Sequence, residues 1–375
     1  MSLEAPPRFL LLLPPPSKDV SLVSFRSDYD ETISEVLKEV SLQSESSTGA
    51  AVLEIAFALP HLVGSTNQSR SALYHQTQQH LALLYKLIVL IAARDAIDVE
   101  DDAGVDVRVI PIAWSPTHTD AQSSYTAPVV DIHALAKSSR VWQYAFGVES
   151  EGGEAMVRAF VAAKSQTQSR TTSASSALVH GQGVNHHVAV GGTFDHLHIG
   201  HKLLLTMTLF TADIQSGSSI TVGLTGDELL KNKKYADVLE SWHDREQAIE
   251  DFCDSMLDFS SWPSAKERKI RDEPVVNGKS TDLHYSTGVV VKCTQIQDPF
   301  GPTITEENIS AIILSAETRA GGEAINKKRS EQGWAPLTVF EVDVLDAEAE
   351  GVTKEGFDAK LSSTAIRQRL AAKEK

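Results

Sequence analysis

The sequence predicts an α/β protein in two parts: a doubly wound, parallel five-stranded sheet in the C-terminal half, preceded by a separate α/β domain. Three observations carry this reading. From residue 188 onward, short runs of Val, Ile and Leu alternate with longer amphipathic stretches, the pattern of parallel strands buried on both faces and joined by helices. Before them, Lys164–His187 is rich in Ser, Thr, Gln and Gly and too poor in apolar residues to offset the entropy of ordering it, so it reads as a flexible linker. The length of 375 residues allows two domains, each with its own core. The boundaries fall at 1–163 for the first domain, 164–187 for the linker and 188–375 for the second.

In the first domain, "RFLLLLP" and "AVLEIAFAL" read as short buried strands. "SALYHQTQQHLALLYKLIVLIAARDAI" reads as a long helix with Leu81, Leu84, Leu87, Ile88 and Ile91 along one side. "VDVRVIPIAW" alternates like another strand. No catalytic constellation stands out in this part.

In the second domain the strands are "VAVGGTF", "SITVGLTG", "GVVVKCTQI", "ISAIILS" and "LTVFEVDVL". The helices are "HIGHKLLLTMTLFTADI", a start at "DELLKNKK", "SWHDREQAIEDFCDSMLDF", "GGEAINKKRSEQG" and "SSTAIRQRLAAK". This order is Rossmann-like, and ligands in such sheets bind beyond the carboxyl ends of the strands. The charged stretch Ser260–Ser286 reads as a surface insertion, being long for a loop in a compact domain.

Composition narrows the function classes. A net charge of -16 argues against a general nucleic-acid or membrane-surface binder, so an anionic substrate must be met locally by a few cations or helix N-termini. The most apolar stretch, Leu81–Ala93, contains Lys86 and falls short of the roughly 20 residues that span a bilayer. The N-terminal "RFLLLLPPP" is too short for a signal-peptide core. Cys253 and Cys293 have no metal-type spacing, so a reducing, cytoplasmic compartment and structural thiols are expected.

Chemistry concentrates in residues 190–202, "VGGTFDHLHIGHK". A zinc site on His196, His198, His201 and Asp195 is disfavoured, because no Cys is near and zinc usually draws its ligands from separated segments. A bland loop is disfavoured by location. Gly191 and Gly192 let the backbone come close to a ligand after a strand. His198 and His201 fall on one side of the first helical turn, with Gly200 leaving space between them. The helix N-terminus itself attracts anions. Strand, glycine turn, helix start and two imidazole donors together make a phosphate site. It is neither a Walker loop nor a G-x-G-x-x-G dinucleotide turn.

T-F-D-H-L-H-x-G-H carries the H-x-G-H signature of the nucleotidyltransferase superfamily. The longer "VAVGGTFDHLHIGHKLLL" resembles the phosphopantetheine adenylyltransferases of archaea and eukaryotes, including that part of the bifunctional coenzyme A synthases. "VGLTGDELLKNKK", "QDPFGPTITEENISAIILSAETRAGGEAIN" and "LSSTAIRQRL" resemble further segments of the same family, in the same order. The likeness covers about residues 187–372.

The resemblance implies adenylyl transfer from ATP to 4′-phosphopantetheine in coenzyme A biosynthesis, by direct in-line attack. A phosphate nucleophile with a second pKa of about 6 needs no strong base; it needs alignment and charge neutralisation. His198, His201 and Lys231 are the implied catalytic residues. Thr193 is expected at the reacting phosphate, with Gly191, Gly192, Phe194, Asp195 and Gly200 around the nucleotide. Ser362, Ser363 and Thr364 open the last helix toward the β- and γ-phosphates, and Arg367 adds a bidentate contact. Arg319 is expected at the triphosphate and Glu317 at the pantetheine arm. Mg²⁺ is expected on the ATP phosphates rather than in a protein cage. Without a Walker loop, a monofunctional enzyme is expected. The first domain is expected to meet other enzymes of coenzyme A biosynthesis. The rival readings are a cytidylyltransferase of the same superfamily and a catalytically inactive scaffold.

Overall fold

The computed structural model describes all residues except 1–5, 18, 45–48, 66–67, 100–103, 118–124, 167–184, 215–216, 262–265, 276–277, 344, 346–360 and 374–375. The linker expected at 164–187 therefore lies mostly outside the described residues.

The first domain holds four parallel strands: β1 (Arg8–Leu13), β2 (Ala51–Ala58), β3 (Val105–Ile112) and β4 (Tyr144–Gly147), in the order β3-β2-β1-β4. β2 and β3 are buried along their whole length, which explains why they read as unbroken apolar runs. Helices α1 (Leu22–Ser44), α2 (Arg70–Arg94), α3 (Ile132–Lys137) and α4 (Glu151–Ser165) complete it. The Ser69 side chain caps α2 by accepting from the Ala72 N–H, and Ser150 caps α4 through the Gly153 N–H.

The second domain contains β5 (His187–Gly192), α5 (Ile199–Thr211), β6 (Ser219–Thr225), α6 (Asp227–Leu230) and α7 (Trp242–Leu257). It continues through β7 (Glu267–Val275), β8 (Gly278–His284), β9 (Val290–Ile296), β10 (Ala311–Ser315), α8 (Arg319–Glu331), β11 (Thr338–Val342) and α9 (Ser363–Lys373). The sheet order is β11-β10-β5-β6-β9-β8-β7. The five expected strands pair in parallel. The sheet nevertheless has seven strands, because the stretch read as a surface loop forms the antiparallel strands β7 and β8. Ion pairs hid this from the sequence: Arg268 meets Glu246 and Glu250, and Arg271 meets Asp282, so an edge hairpin carries charges that read as loop.

The two domains share one core. A single apolar cluster runs from Leu11 and Phe57 through Leu84 and Ile88 to Val190, Leu205 and Phe252. α5 lies between α2 on one side and β5 and β10 on the other. Its Ile199, Leu203, Leu205, Met207, Leu209 and Phe210 are at most 1% exposed. Each such side chain is worth about 1.5–3 kcal/mol when fully buried, so α5 depends on both neighbours.

Candidate active site

β5 delivers its carboxyl end, Gly191-Gly192, alongside Gly223 and Leu224 of β6. A Cβ on Gly191 would meet nothing closer than the Gly223 carbonyl at 4.0 Å, so the backbone is open to an incoming group. The chain then turns through two left-handed residues, Phe194 (φ 53°) and His196 (φ 47°). Such conformations cost on the order of 1–3 kcal/mol each and persist only where surroundings enforce them.

The enforcement is visible. The His196 N–H donates to Glu240 at 2.5 Å, and its Nε2 lies 3.1 Å from the Val238 carbonyl. The Phe194 ring is fully buried beside the His201 ring, with centroids 5.4 Å apart. Asp195, also fully buried, accepts from the Glu240 N–H at 3.0 Å and pairs with the Arg367 guanidinium. Arg245, fully buried in α7, donates from Nη1 to the carbonyls of Thr193 (2.8 Å) and Thr225 (3.0 Å). The Ser363 hydroxyl donates to the Asp195 carbonyl at 2.9 Å, which draws the start of α9 against the loop.

His198 is the N-cap of α5, and its side chain makes no capping bond. That leaves the first N–H groups of α5 without a side-chain cap, and such a helix start favours an anion. The His198 and His201 rings stack at 3.8 Å with 22° between planes. Burial pushes the His198 imidazole well below its usual range and His201 down to about 4; Asp195 and the His196 carbonyl oppose the drop at His201. Both rings are therefore neutral near pH 7, each with one N–H donor. The buried Nδ1 atoms of both lack a protein partner among the described residues. The His201 N–H already meets the His196 carbonyl, so the His198 N–H and the helix N-terminus are what suit a group that gains negative charge during reaction. Among the described residues, no three His, Cys, Asp or Glu side chains converge to hold a metal ion.

The structure thus gathers Gly191, Gly192, Thr193, Phe194, Asp195, His198, Gly200, His201, Ser362 and Ser363 at one place. At α9, the Ser362 carbonyl accepts from the Ile366 N–H, and Thr364 is exposed while accepting from Arg367. Arg367 departs from the expected free phosphate contact. It is 2% exposed, held by Asp195 and by the Lys234 carbonyl at 3.0 Å, because an unpaired Asp195 at this depth would be costly. Lys231 follows α6 on the surface and pairs with Glu228 at 2.5 Å. Arg319 begins α8, exposed, with Nε 2.6 Å from Glu341. Glu317 lies in the one-turn helix Ala316–Thr318 before α8. The sequence reading missed Arg245 and Glu240. Arg245 had a signal: it shares the apolar stripe of α7 with Ile249, Phe252 and Met256, where an unexplained cation implies buried acceptors.

Residues 189–369 match the family model described as cytidylyltransferase-like, and residues 1–184 match a domain of unknown function. An uncharacterized protein of Schizosaccharomyces pombe is 35% identical over 192 residues, covering 51% of this chain and 50% of its own. The phosphopantetheine adenylyltransferase of Saccharomyces cerevisiae is 34% identical over 185 residues, covering 49% of this chain and 48% of its own. That of Thermococcus gammatolerans is 30% identical over 183 residues, covering 49% of this chain and 88% of its own. The matched region spans about half the length of the two fungal relatives. Fold, site and comparisons together define a cytidylyltransferase-like domain with an H-x-G-H turn. Through its C-terminal half, the chain belongs to the phosphopantetheine adenylyltransferase family. In the described residues, no helix is long and apolar enough to cross a membrane.

Proposed function

We propose that the C-terminal half transfers the adenylyl group of ATP to 4′-phosphopantetheine, giving dephospho-coenzyme A and pyrophosphate. The observation that carries this reading is the stacked, neutral His198–His201 pair at the uncapped start of α5. A terminal phosphate oxygen of phosphopantetheine attacks the α-phosphorus of ATP. The new P–O bond forms as the bond to the β-phosphate oxygen breaks, and pyrophosphate leaves. His198 donates its N–H bond to an oxygen that gains charge, His201 holds that ring by stacking on it, and the N–H groups of α5 add a positive end.

Thr193 meets the reacting phosphate at the end of β5, while Ser362, Ser363 and Thr364 present the start of α9 to the outer phosphates. Lys231 and Arg319 exchange their exposed carboxylate partners, Glu228 and Glu341, for substrate phosphates. These exposed pairs are weak enough to exchange, worth roughly 0–1 kcal/mol each. Asp195 and Arg367 shape the loop rather than touch the nucleotide. Mg²⁺ bound to the ATP phosphates, rather than to side chains of this chain, would supply charge neutralisation there.

A cytidylyltransferase is the second reading, favoured by the family description that residues 189–369 match. Pyrophosphate release from purified protein separates the two. Release from ATP that depends on 4′-phosphopantetheine supports the proposal. Faster turnover with CTP on a phospho-alcohol replaces it with the rival.

A further inference from the structure

β3 is an edge strand of the first sheet, and its Asp106 and Arg108, two residues apart, share a face. Both side chains reach into the second domain. Asp106 Oδ1 lies 2.7 Å from Lys202 Nζ, and Lys202 is 1% exposed. Lys202 belongs to the first turn of α5, next to His201 in the chain. Asp106 Oδ2 also accepts from Arg108 Nε at 2.8 Å, and Arg108 Nη1 donates to the Asp251 carbonyl of α7 at 2.9 Å. One strand further in, Glu54 takes Arg140 at 2.9 Å. Arg140 donates to the Asp258 carbonyl at 2.9 Å and covers the Phe259 ring at 4.0 Å. The first domain thus grips the start of α5 and the end of α7 through buried charge.

An ammonium group buried this deeply is tolerated only with a well-placed partner. That partner comes from the other domain. The rotation of the first turn of α5, and with it the aim of His198 and His201, is tied to the position of β3.

We propose that the first domain is a fixed brace for the nucleotide site, in which Asp106 is a positioning residue that sets the H-x-G-H turn through Lys202. The inference rests on the proposed adenylyl transfer for its kinetic readout and on histidine resonances for an independent one. Asp106→Asn tests it directly, and Asp106→Leu/Lys202→Met removes both members of the interdomain pair, leaving Arg108 on the Asp251 carbonyl. The full-length variants are compared with Tyr74→Phe, which removes a different interdomain hydrogen bond, to the Glu341 carbonyl and 3.0 Å long. In the two brace variants kcat is expected to fall about a hundredfold, the effect of misaligning reacting groups by about 1 Å, in proteins that melt below Tyr74→Phe, because buried cations lose a partner, but still cooperatively. The Cε1–H signals of His198 and His201, assigned with single His→Gln variants, are expected to shift in both brace variants and not in Tyr74→Phe. Unchanged kcat and unmoved signals in a folded Asp106→Leu/Lys202→Met variant overturn the brace. Wild-type protein without adenylyl transfer sinks the functional reading alone and leaves the histidine signals to decide the brace.

Discussion

His198 and His201 stack face to face, 3.8 Å between centroids, with burial holding both imidazoles neutral. The native state takes up their protons only well below the ordinary value of 6.5, whereas the unfolded chain takes them up near it. Between those limits the unfolded state binds more protons, so stability is full above pH 6.5 and is lost as pH falls toward 4. His61, lowered to about 4, and the lowered His80 and His187 act in the same direction. Thermal unfolding followed from pH 7 to pH 4.5 is expected to show a falling melting temperature, and His201→Asn is expected to flatten that slope. An equal slope in the variant removes His201 from the account.

Gly200→Ala isolates the stack. A Cβ there would stand 3.2 Å from His198 Cε1 and 3.3 Å from its Nδ1, so the ring must give. Alanine in a helix is otherwise favoured over glycine by roughly 0.5–1 kcal/mol. The expected outcome is a protein of equal or slightly higher melting temperature with adenylyl transfer slowed tenfold or more, up to about a hundredfold. Steady-state kinetics beside a melting curve check both halves.

Arg367 and Asp195 give a stability test. Removing one partner of a buried ion pair costs about 3–5 kcal/mol. Arg367→Ala is expected to destabilise by that amount in urea unfolding, and Asp195→Asn added to it is expected to recover part of the loss. If Arg367→Ala instead unfolds like wild type while ATP affinity drops sharply, the guanidinium serves the triphosphate directly.

Deleting residues 1–163 is expected to give an insoluble or aggregated fragment, not a working half-enzyme. The deletion strips α2 from α5 and takes the Asp106 carboxylate away from Lys202. Soluble, monomeric fragment with full activity by gel filtration and assay removes the shared core from the account.

Most of the fold was legible because its strands are continuous apolar runs bounded by turns, as β5, β6 and β10 show. β7 and β8 were not, since Arg268 is satisfied by Glu246 and Arg271 by Asp282 across space, and such charges mimic a loop in the chain. His198, Gly200 and His201 were legible because they are close in sequence. Arg367's partner lies 172 positions away and Lys202's lies 96 away. Charge pairing over such separations leaves no local pattern, so the sequence offered Arg367 as a phosphate ligand and Lys202 as nothing in particular. The union of the two domains was hidden for the same reason: a linker-like composition says nothing of the faces on either side of it.

The most direct test is single-turnover transfer of the adenylyl group from α-labelled ATP to 4′-phosphopantetheine by wild type and His198→Ala. Loss of one charge-stabilising donor typically costs about a hundred- to a thousandfold, and a drop of that size, in a protein that still melts cooperatively, is the expected result. A His198→Ala protein that forms dephospho-coenzyme A as fast as wild type contradicts the account.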